Sequence, residues 1–344
     1  MQLKIIRTEK PTHDSVSLYF DRPDFLKTFK AGQYGNFSFD IGGTLHKRTY
    51  SFHTSPNDRE LGITVRAVTD GVVSNYLQSA NGNSIQLNGI DGDFVFEPSK
   101  DIKRHLIMFA GGSGITPIFS MIQTVMQEEP RSTVSLIYSN KSYSRIIFRN
   151  ELHALEAKFS GRLKVYHILT QNESIPADFP VFYNGRLTAL ISKKIIKGIL
   201  SEIDSSVEYY MCGPHELMAI LASTIRAIGN GRPRVHREIF YIPSKKNQFD
   251  FSTLSDREII IQMHGEEKLI IVKGGQSILQ ATLEHRIKVP FSCIEGQCGT
   301  CRAKLISGKV KLRKNHILTD DELNEGQILL CQGFPVSDGI TISI

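Results

Sequence analysis

Short alternating runs fill the first hundred residues. Val16-Ser17-Leu18-Tyr19-Phe20, Tyr34-Gly35-Asn36-Phe37-Ser38-Phe39, Leu61-Gly62-Ile63-Thr64-Val65 and Ser84-Ile85-Gln86-Leu87 alternate or carry β-branched residues, as strands do. Gly42-Gly43 and Asn81-Gly82-Asn83 supply turns between them. Such a segment predicts a small antiparallel β-barrel over residues 1–101. Near Arg104 the period changes. His105-Leu106-Ile107-Met108-Phe109-Ala110 is a continuous apolar strand, followed by glycines and an amphipathic helix over 117–127. Strands at 134–138, 163–169 and 207–212 then alternate with helices at 151–159, 192–200 and 215–228, which predicts an α/β parallel-sheet domain over 102–235. Residues 236–252, with the polar, Pro-containing stretch 242–248, read as a linker. Residues 253–344 open with a hairpin around His264-Gly265 and a helix over 277–285, a compact α+β unit.

Composition excludes several classes. The apolar and charged fractions, 40% and 22%, are those of a globular protein able to bury a core in each domain. No apolar run approaches the roughly 18 residues needed to cross a bilayer. Met1-Gln2-Leu3-Lys4-Ile5-Ile6-Arg7 is too charged and too short in apolar stretch for a secretory signal, so a cytoplasmic protein is expected. The net charge of +6 is too mild and scattered for nucleic acid and suits anionic cofactor phosphates or an acidic protein partner.

Four of the five cysteines lie near the C-terminus. Cys293-x4-Cys298-x2-Cys301 with Cys331 downstream matches the plant-type ferredoxin spacing for a [2Fe–2S] cluster. Bridging sulfides need backbone N–H donors close by, and Ser292, Gly296, Gly299, Thr300 and Ala303 leave room for that approach. A zinc site would more often use paired C-x2-C knuckles or mixed Cys and His, and buried unconnected thiols are the other reading.

Two further pairs of motifs carry chemistry. Arg48-Thr49-Tyr50-Ser51 follows a strand and is joined downstream by Gly71-Val72-Val73-Ser74. Gly111-Gly112-Ser113-Gly114-Ile115-Thr116-Pro117 lies between a buried strand and a helix, the context of a phosphate-cradling turn, with Pro117 suited to the first helical turn. Met211-Cys212-Gly213-Pro214 also follows a strand and opens a helix. Each has a plainer reading alone: Tyr50 as barrel core, the glycines as a structural turn, Cys212 as a small buried hydrophobe.

Taken in order with the cluster cysteines, these motifs resemble the ferredoxin–NADP⁺ reductase superfamily. Within it the chain is similar to oxygenase reductases with a C-terminal ferredoxin domain, the phenylacetyl-CoA epoxidase reductases above all. The resemblance implies a flavin barrel, a nucleotide domain and a β-grasp ferredoxin domain. It implies Arg48 on the flavin pyrophosphate, Tyr50 stacked on the isoalloxazine, Ser51 near flavin N5, and the turn Gly71, Val72, Val73, Ser74 under the pyrophosphate. It places Gly111, Gly112, Gly114, Thr116 and Pro117 on the nucleotide phosphates, and Cys212, Gly213 and Pro214 at the nicotinamide. Phe240 would cover the flavin face and Glu238 would join a proton relay; a packed aromatic and a surface carboxylate are their alternatives. Ser51, Cys212 and Glu238 are the expected catalytic residues, and Cys293, Cys298, Cys301 and Cys331 the metal ligands.

The resemblance further implies an NAD(P)H-dependent electron-transfer reductase whose flavin converts hydride into single electrons for the cluster. FAD is expected over FMN. No acidic residue stands in Ser139-Asn140-Lys141-Ser142, where one would favour NADH, and Lys141 or Arg145 would suit the 2′-phosphate of NADPH. The acceptor would be an oxygenase or desaturase. Alternatives are a stand-alone ferredoxin or ferric-type reductase and a redox-sensing iron–sulfur regulator. Either charge group between the third and fourth cluster cysteines, Asp320, Asp321, Glu322 and Glu325 or Lys309, Lys311, Arg313 and Lys314, would guide a partner.

Overall fold

Alternation at the N-terminus builds six strands: β1 (Gln2–Thr12), β2 (Ser15–Asp21), β3 (Tyr34–Ile41), β4 (Thr44–Ser51), β5 (Glu60–Arg66) and, after the short helix α1 (Val72–Tyr76), β6 (Ser84–Asp91). The computed structural model describes residues 1–22, 29–80, 82–171, 175–203, 205–228, 233–240, 249–291, 294, 296 and 298–344. The six strands form an antiparallel sheet in the order β4-β3-β6-β1-β2-β5, and a bridge between Phe52 and Ile63 joins its two ends. Leu3, Val16, Leu18, Phe20, Phe37, Phe52, Leu61 and Ile63 fill the interior. The β3–β4 hairpin turns on Gly42-Gly43, both at positive φ, as a two-residue hairpin requires.

Continuous apolar runs build the second sheet, buried on both faces. Its elements are β7 (Arg104–Gly111), α2 (Ile115–Glu128), β8 (Thr133–Asn140), α3 (Arg149–Lys158), β9 (Leu163–Leu169), β10 (Val181–Asn184), α4 (Ala189–Leu200), β11 (Ser206–Gly213), α5 (His215–Ile228) and β12 (Arg234–Ile239). All pairings in the order β10-β9-β8-β7-β11-β12 are parallel. At the start of β7, buried Arg104 pairs with Glu129 (2.6 Å) and Glu208 (3.1 Å) and donates to the carbonyl of Glu97, so one guanidinium ties the barrel exit to α2 and β11.

The expected linker over 236–252 requires correction. Residues 236–239 complete β12, with Cys212 in register opposite Glu238. The strand reads as linker because edge strands carry charge, here Arg234, His236, Arg237 and Glu238. At the other end Phe251 is buried with its ring tilted against Phe334, centroids 4.6 Å apart, so it belongs to the C-terminal unit.

The chain accordingly divides into Met1–Ile239 and Phe240–Ile344. The second unit comprises β13 (Arg257–Met263), β14 (Glu266–Val272), α6 (Ile278–Glu284), β15 (Arg302–Ser307), β16 (Val310–Leu312), α7 (Asp320–Asn324), β17 (Gln327–Leu329), β18 (Gly333–Pro335) and β19 (Ile340–Ser343). Its main sheet runs β14-β13-β19-β15-β17, with β16 and β18 as a separate ribbon. Both helices start in reciprocal capping boxes, Ser277 with Gln280 and Thr319 with Glu322. Among the described residues no helix is long and apolar enough to cross a membrane.

Candidate active site and cluster site

Three elements bring Ser51, Cys212 and Glu238 together. Ser51 ends β4, so Arg48-Thr49-Tyr50-Ser51 lies within that strand rather than after it. Cys212 and Glu238 are neighbours across β11 and β12 at the C-terminal end of the parallel sheet, where ligands of such sheets bind. The Cys212 thiol donates to Glu238 Oε2 at 3.8 Å, and the Ser51 side chain hydrogen-bonds the same carboxyl group. Burial pushes the Glu238 carboxyl up to about 8, against the smaller downward pull of the bonds to Cys212 and Ser51. Burial, then the charge and hydrogen bond of Glu238, pushes the Cys212 thiol well above its ordinary range. At neutral pH this is a cluster of protonated groups.

The two glycine turns interlock beside it. A Cβ on Gly114 would strike the Cys212 carbonyl, and one on Gly111 would come within 2.6 Å of Pro214 Cδ. Only glycine lets the Gly111–Gly114 turn press on the Cys212-Gly213-Pro214 turn this closely. Thr116 donates to the Ser113 carbonyl at 3.1 Å, so its hydroxyl shapes the turn. Pro117 sits in the first turn of α2, which begins at Ile115, two residues earlier than the apolar period suggests.

In the barrel, Tyr50 packs on the core beside Phe37 and Phe39, and burial pushes its phenol up. Arg48 donates to the Lys47 carbonyl. Gly71 precedes α1, and a Cβ there would strike Ser74 Oγ. The Ser74 hydroxyl donates to the Gly71 carbonyl at 3.3 Å and accepts from the Val68 N–H at 3.2 Å. The residues fit a flavin: an aromatic ring on the sheet, a tight N-terminal turn at Gly71, Val72 and Val73, and a proton-holding carboxyl nearby.

In the second unit, Cys301 and Cys331 are buried and hydrogen-bonded thiol to thiol, and that bond lowers Cys301 despite its burial. Cys298 lies near enough to interact with Cys301. Cys293 falls outside the described residues. A Cβ on Gly296 would come within 3.0 Å of the Lys314 carbonyl, and Gln332 donates to the Ile294 carbonyl at 2.7 Å, so the loop is drawn tight around the thiols. Cys298 and Cys301 come from the loop before β15 and Cys331 from the turn between β17 and β18, and thiols are donors that suit an iron–sulfur cluster. Of the charge groups, Glu322 pairs with Arg302, Lys311 lies over Phe249, and Arg313 lies over Phe334. Phe240 is the half-buried first residue of this unit.

Sequence reasoning passed over Arg66, whose guanidinium faces Gly112 and bonds the Arg145 carbonyl at 2.6 Å. Asp14 holds both Arg66 (3.5 Å) and Arg145 (3.3 Å). Nothing in the spacing of Asp14, Arg66 and Arg145 marks them as neighbours.

Comparison with known proteins matches three stretches of the chain to domain families. Residues 2–96 match the oxidoreductase FAD-binding domain, 108–223 the oxidoreductase NAD-binding domain, and 261–336 the 2Fe-2S iron-sulfur cluster binding domain. The chain is 28% identical over 347 residues to a component of the 1,2-phenylacetyl-CoA epoxidase of Escherichia coli (strain K12), covering 99% of this chain and 96% of that one. It is 30% identical over 356 residues to the ferredoxin reductase component of 3-ketosteroid-9-alpha-monooxygenase from Rhodococcus rhodochrous, covering 99% and 95%. Its fold is similar to that of phthalate dioxygenase reductase, with a TM-score of 0.61 at 23% identity over 100% of this chain and 98% of that one.

Proposed function

The chain belongs to the oxygenase reductases that join FAD-binding, NAD-binding and [2Fe–2S] domains in one polypeptide, and from that membership we propose how its own residues work and which acceptor it serves. It is an NAD(P)H-dependent oxidoreductase that moves electrons to an oxygenase partner. When bound, FAD takes a hydride from the nicotinamide and releases electrons singly, chemistry that is the cofactor's own.

Ser51 orients the flavin edge through its hydroxyl, and Tyr50 gives the ring its packing surface. Arg48 and the turn Gly71, Val72, Val73, Ser74 hold the pyrophosphate. Gly111, Gly112, Gly114, Thr116 and Pro117 form the phosphate turn for the nucleotide, and Gly213 and Pro214 place Cys212 at the nicotinamide. Glu238 keeps a proton on its carboxyl, within reach of Ser51 and Cys212, available to the flavin edge. Phe240, two residues farther along the chain, is assigned the flavin face on sequence grounds alone. Cys293, Cys298, Cys301 and Cys331 hold the cluster.

NADPH is the proposed donor, because the loop after β8 carries exposed Lys141 and no acid. Arg145, already paired with Asp14, is the weaker candidate for the 2′-phosphate. The proposed acceptor is an oxygenase acting on a coenzyme A thioester, as the name of the Escherichia coli relative says of that protein, and the proposed compartment is the cytoplasm. The convergence of Ser51, Cys212 and Glu238 from β4, β11 and β12 carries this reading.

Anaerobic titration with NADPH and NADH, followed by visible absorbance and EPR, tests it. Flavin bleaching with a reduced [2Fe–2S] signal, reached at lower NADPH than NADH, is expected. Bleaching without a cluster signal would remove the cysteine assignment, and equal response to both donors would remove the nucleotide preference.

A further inference from the structure

Helix α2 is buried almost all round, yet it carries a polar stripe. Ser120, Gln123, Thr124 and Gln127 recur at i, i+3, i+4 and i+7, one face of a helix. In a surface helix this face would meet water. Here it meets the segment His53-Thr54-Ser55, which closely follows the flavin strand β4.

The contacts are specific. Ser120 Oγ donates to the Thr54 carbonyl at 2.6 Å, and Gln123 Nε2 donates to the His53 carbonyl at 2.9 Å. Ser55 Oγ donates to Gln127 Oε1 at 3.0 Å. From the opposite side, β5 holds the same segment: the His53 N–H donates to the Gly62 carbonyl at 2.9 Å, and Thr54 Oγ1 accepts from the Gly62 N–H at 3.0 Å. His53 Nδ1 lies 3.0 Å from Thr64 Oγ1, with its ring against Tyr19 and Phe148. Buried carbonyls need a donor, and side chains of the helix supply one to each of these two.

That helix begins at the phosphate turn. Gly114, its N-cap, presses on the Cys212 carbonyl, Cys212 donates to Glu238, and Glu238 bonds Ser51. Ser51 lies two residues before His53. The contacts therefore close a ring: flavin strand, strap 53–55, α2, phosphate turn, Cys212, Glu238, and back to Ser51. The polar stripe on α2 links the flavin strand to the nucleotide turn without passing through the reacting groups.

We infer that the stripe, Ser120 and Gln123 foremost, sets the register of the flavin strand against the nicotinamide turn, which makes these two residues positioning residues for hydride transfer. The inference rests on the flavin and nicotinamide placement proposed above. Hydride transfer requires the reacting atoms at near-attack separation, and displacement by about 1 Å costs up to about a hundredfold in rate. Neither side chain needs to touch flavin or nucleotide for this.

The test compares the full-length wild type, Ser120→Ala, Gln123→Leu, the double variant and Ser51→Ala, each loaded with FAD. Anaerobic stopped-flow with NADPH separates the limiting rate of flavin reduction from nucleotide affinity. The long-wavelength charge-transfer absorbance reports ring stacking. Hydrogen–deuterium exchange over residues 49–57 gives a readout independent of turnover. For the double variant we expect a limiting rate on the order of tenfold lower, a weaker charge-transfer band and faster exchange at 52–55. Nucleotide affinity should stay within about twofold, since the phosphate turn itself is intact. A normal limiting rate and band, even with a lowered melting temperature, would show the stripe to be packing alone and overturn the inference. So would a loss of affinity at unchanged limiting rate. The Ser51→Ala protein separates the two levels. If it reduces its flavin normally, the site placement itself falls and the inference with it; if it is slow beside a normal double variant, the inference alone falls.

Discussion

Glu238 holds its proton at neutral pH because burial withdraws the water that would stabilise its charge, raising the carboxyl from 4.5 to about 8. The native chain therefore binds this proton over a range in which the unfolded chain has released it. Its contribution to stability is fully present below pH 4.5 and is lost as pH rises through about 8. Thermal melts of flavin-free wild type and Glu238→Gln at pH 5 and pH 9 should show the wild type losing more on the alkaline side; parallel curves would contradict the assignment. Gly114 yields a steric prediction. Gly114→Ala drives a methyl into the Cys212 carbonyl, and overpacking of this kind costs about 1–3 kcal/mol. Denaturant unfolding measures that loss, and nucleotide titration of the same variant should show weakened binding. Cys212 is set by contact as well: the spacing C-G-P marks a turn, but the thiol's partner comes from a strand that the charge of its residues disguised.

At the scale of elements, β7, α2 and β11 are joined where Arg104 sits between Glu129 and Glu208. Removing the guanidinium takes the ion-pair partner from buried Glu129 and leaves Glu208 only the more exposed Arg234 and His236, a change worth about 3–5 kcal/mol. Arg104→Met should lower the denaturant midpoint accordingly, and an unchanged midpoint would show that the carboxylates relax to water. Much of the architecture was legible at this scale. Four of the barrel strands, four of the parallel strands, the helices of the nucleotide lobe and the C-terminal hairpin follow from periods of two and 3.6 and from turn residues. Boundaries moved at helix starts: α3 begins at Arg149 rather than 151, and α4 at Ala189 rather than 192, where the Thr188 hydroxyl accepts from the Ile191 N–H and caps the helix. Strand β10 escaped notice because its four residues, half exposed at the sheet edge, are too few to show a period.

Across the whole molecule, flavin and cluster chemistry reside in separate units, so the two steps of electron flow should be separable by substitution. Cys301→Ser should abolish the EPR signal of the reduced cluster while NADPH still bleaches the flavin at an unchanged rate. Loss of flavin bleaching in that variant would show the units to be interdependent. Delivery to the oxygenase should fail in the same protein, which reduction of the partner in a stopped-flow mix measures.

By itself the amino-acid sequence determined the parts: strand and helix content, three folding segments in order, and the cysteine spacing. These are local properties, since a strand's alternation, a helix's period and a ligand loop's reach are all written over a few consecutive residues. The tertiary structure alone decided which parts touch. Cys212 faces Glu238 because β12 lies parallel beside β11, and the polar stripe on α2 meets carbonyls 53 and 54 because the barrel packs on that helix. Such neighbours are some 25 to 70 residues apart in the chain, where no period or motif connects them. The first adjacency arises from strand pairing within one sheet, and the second when the barrel and α2 bury their faces against each other.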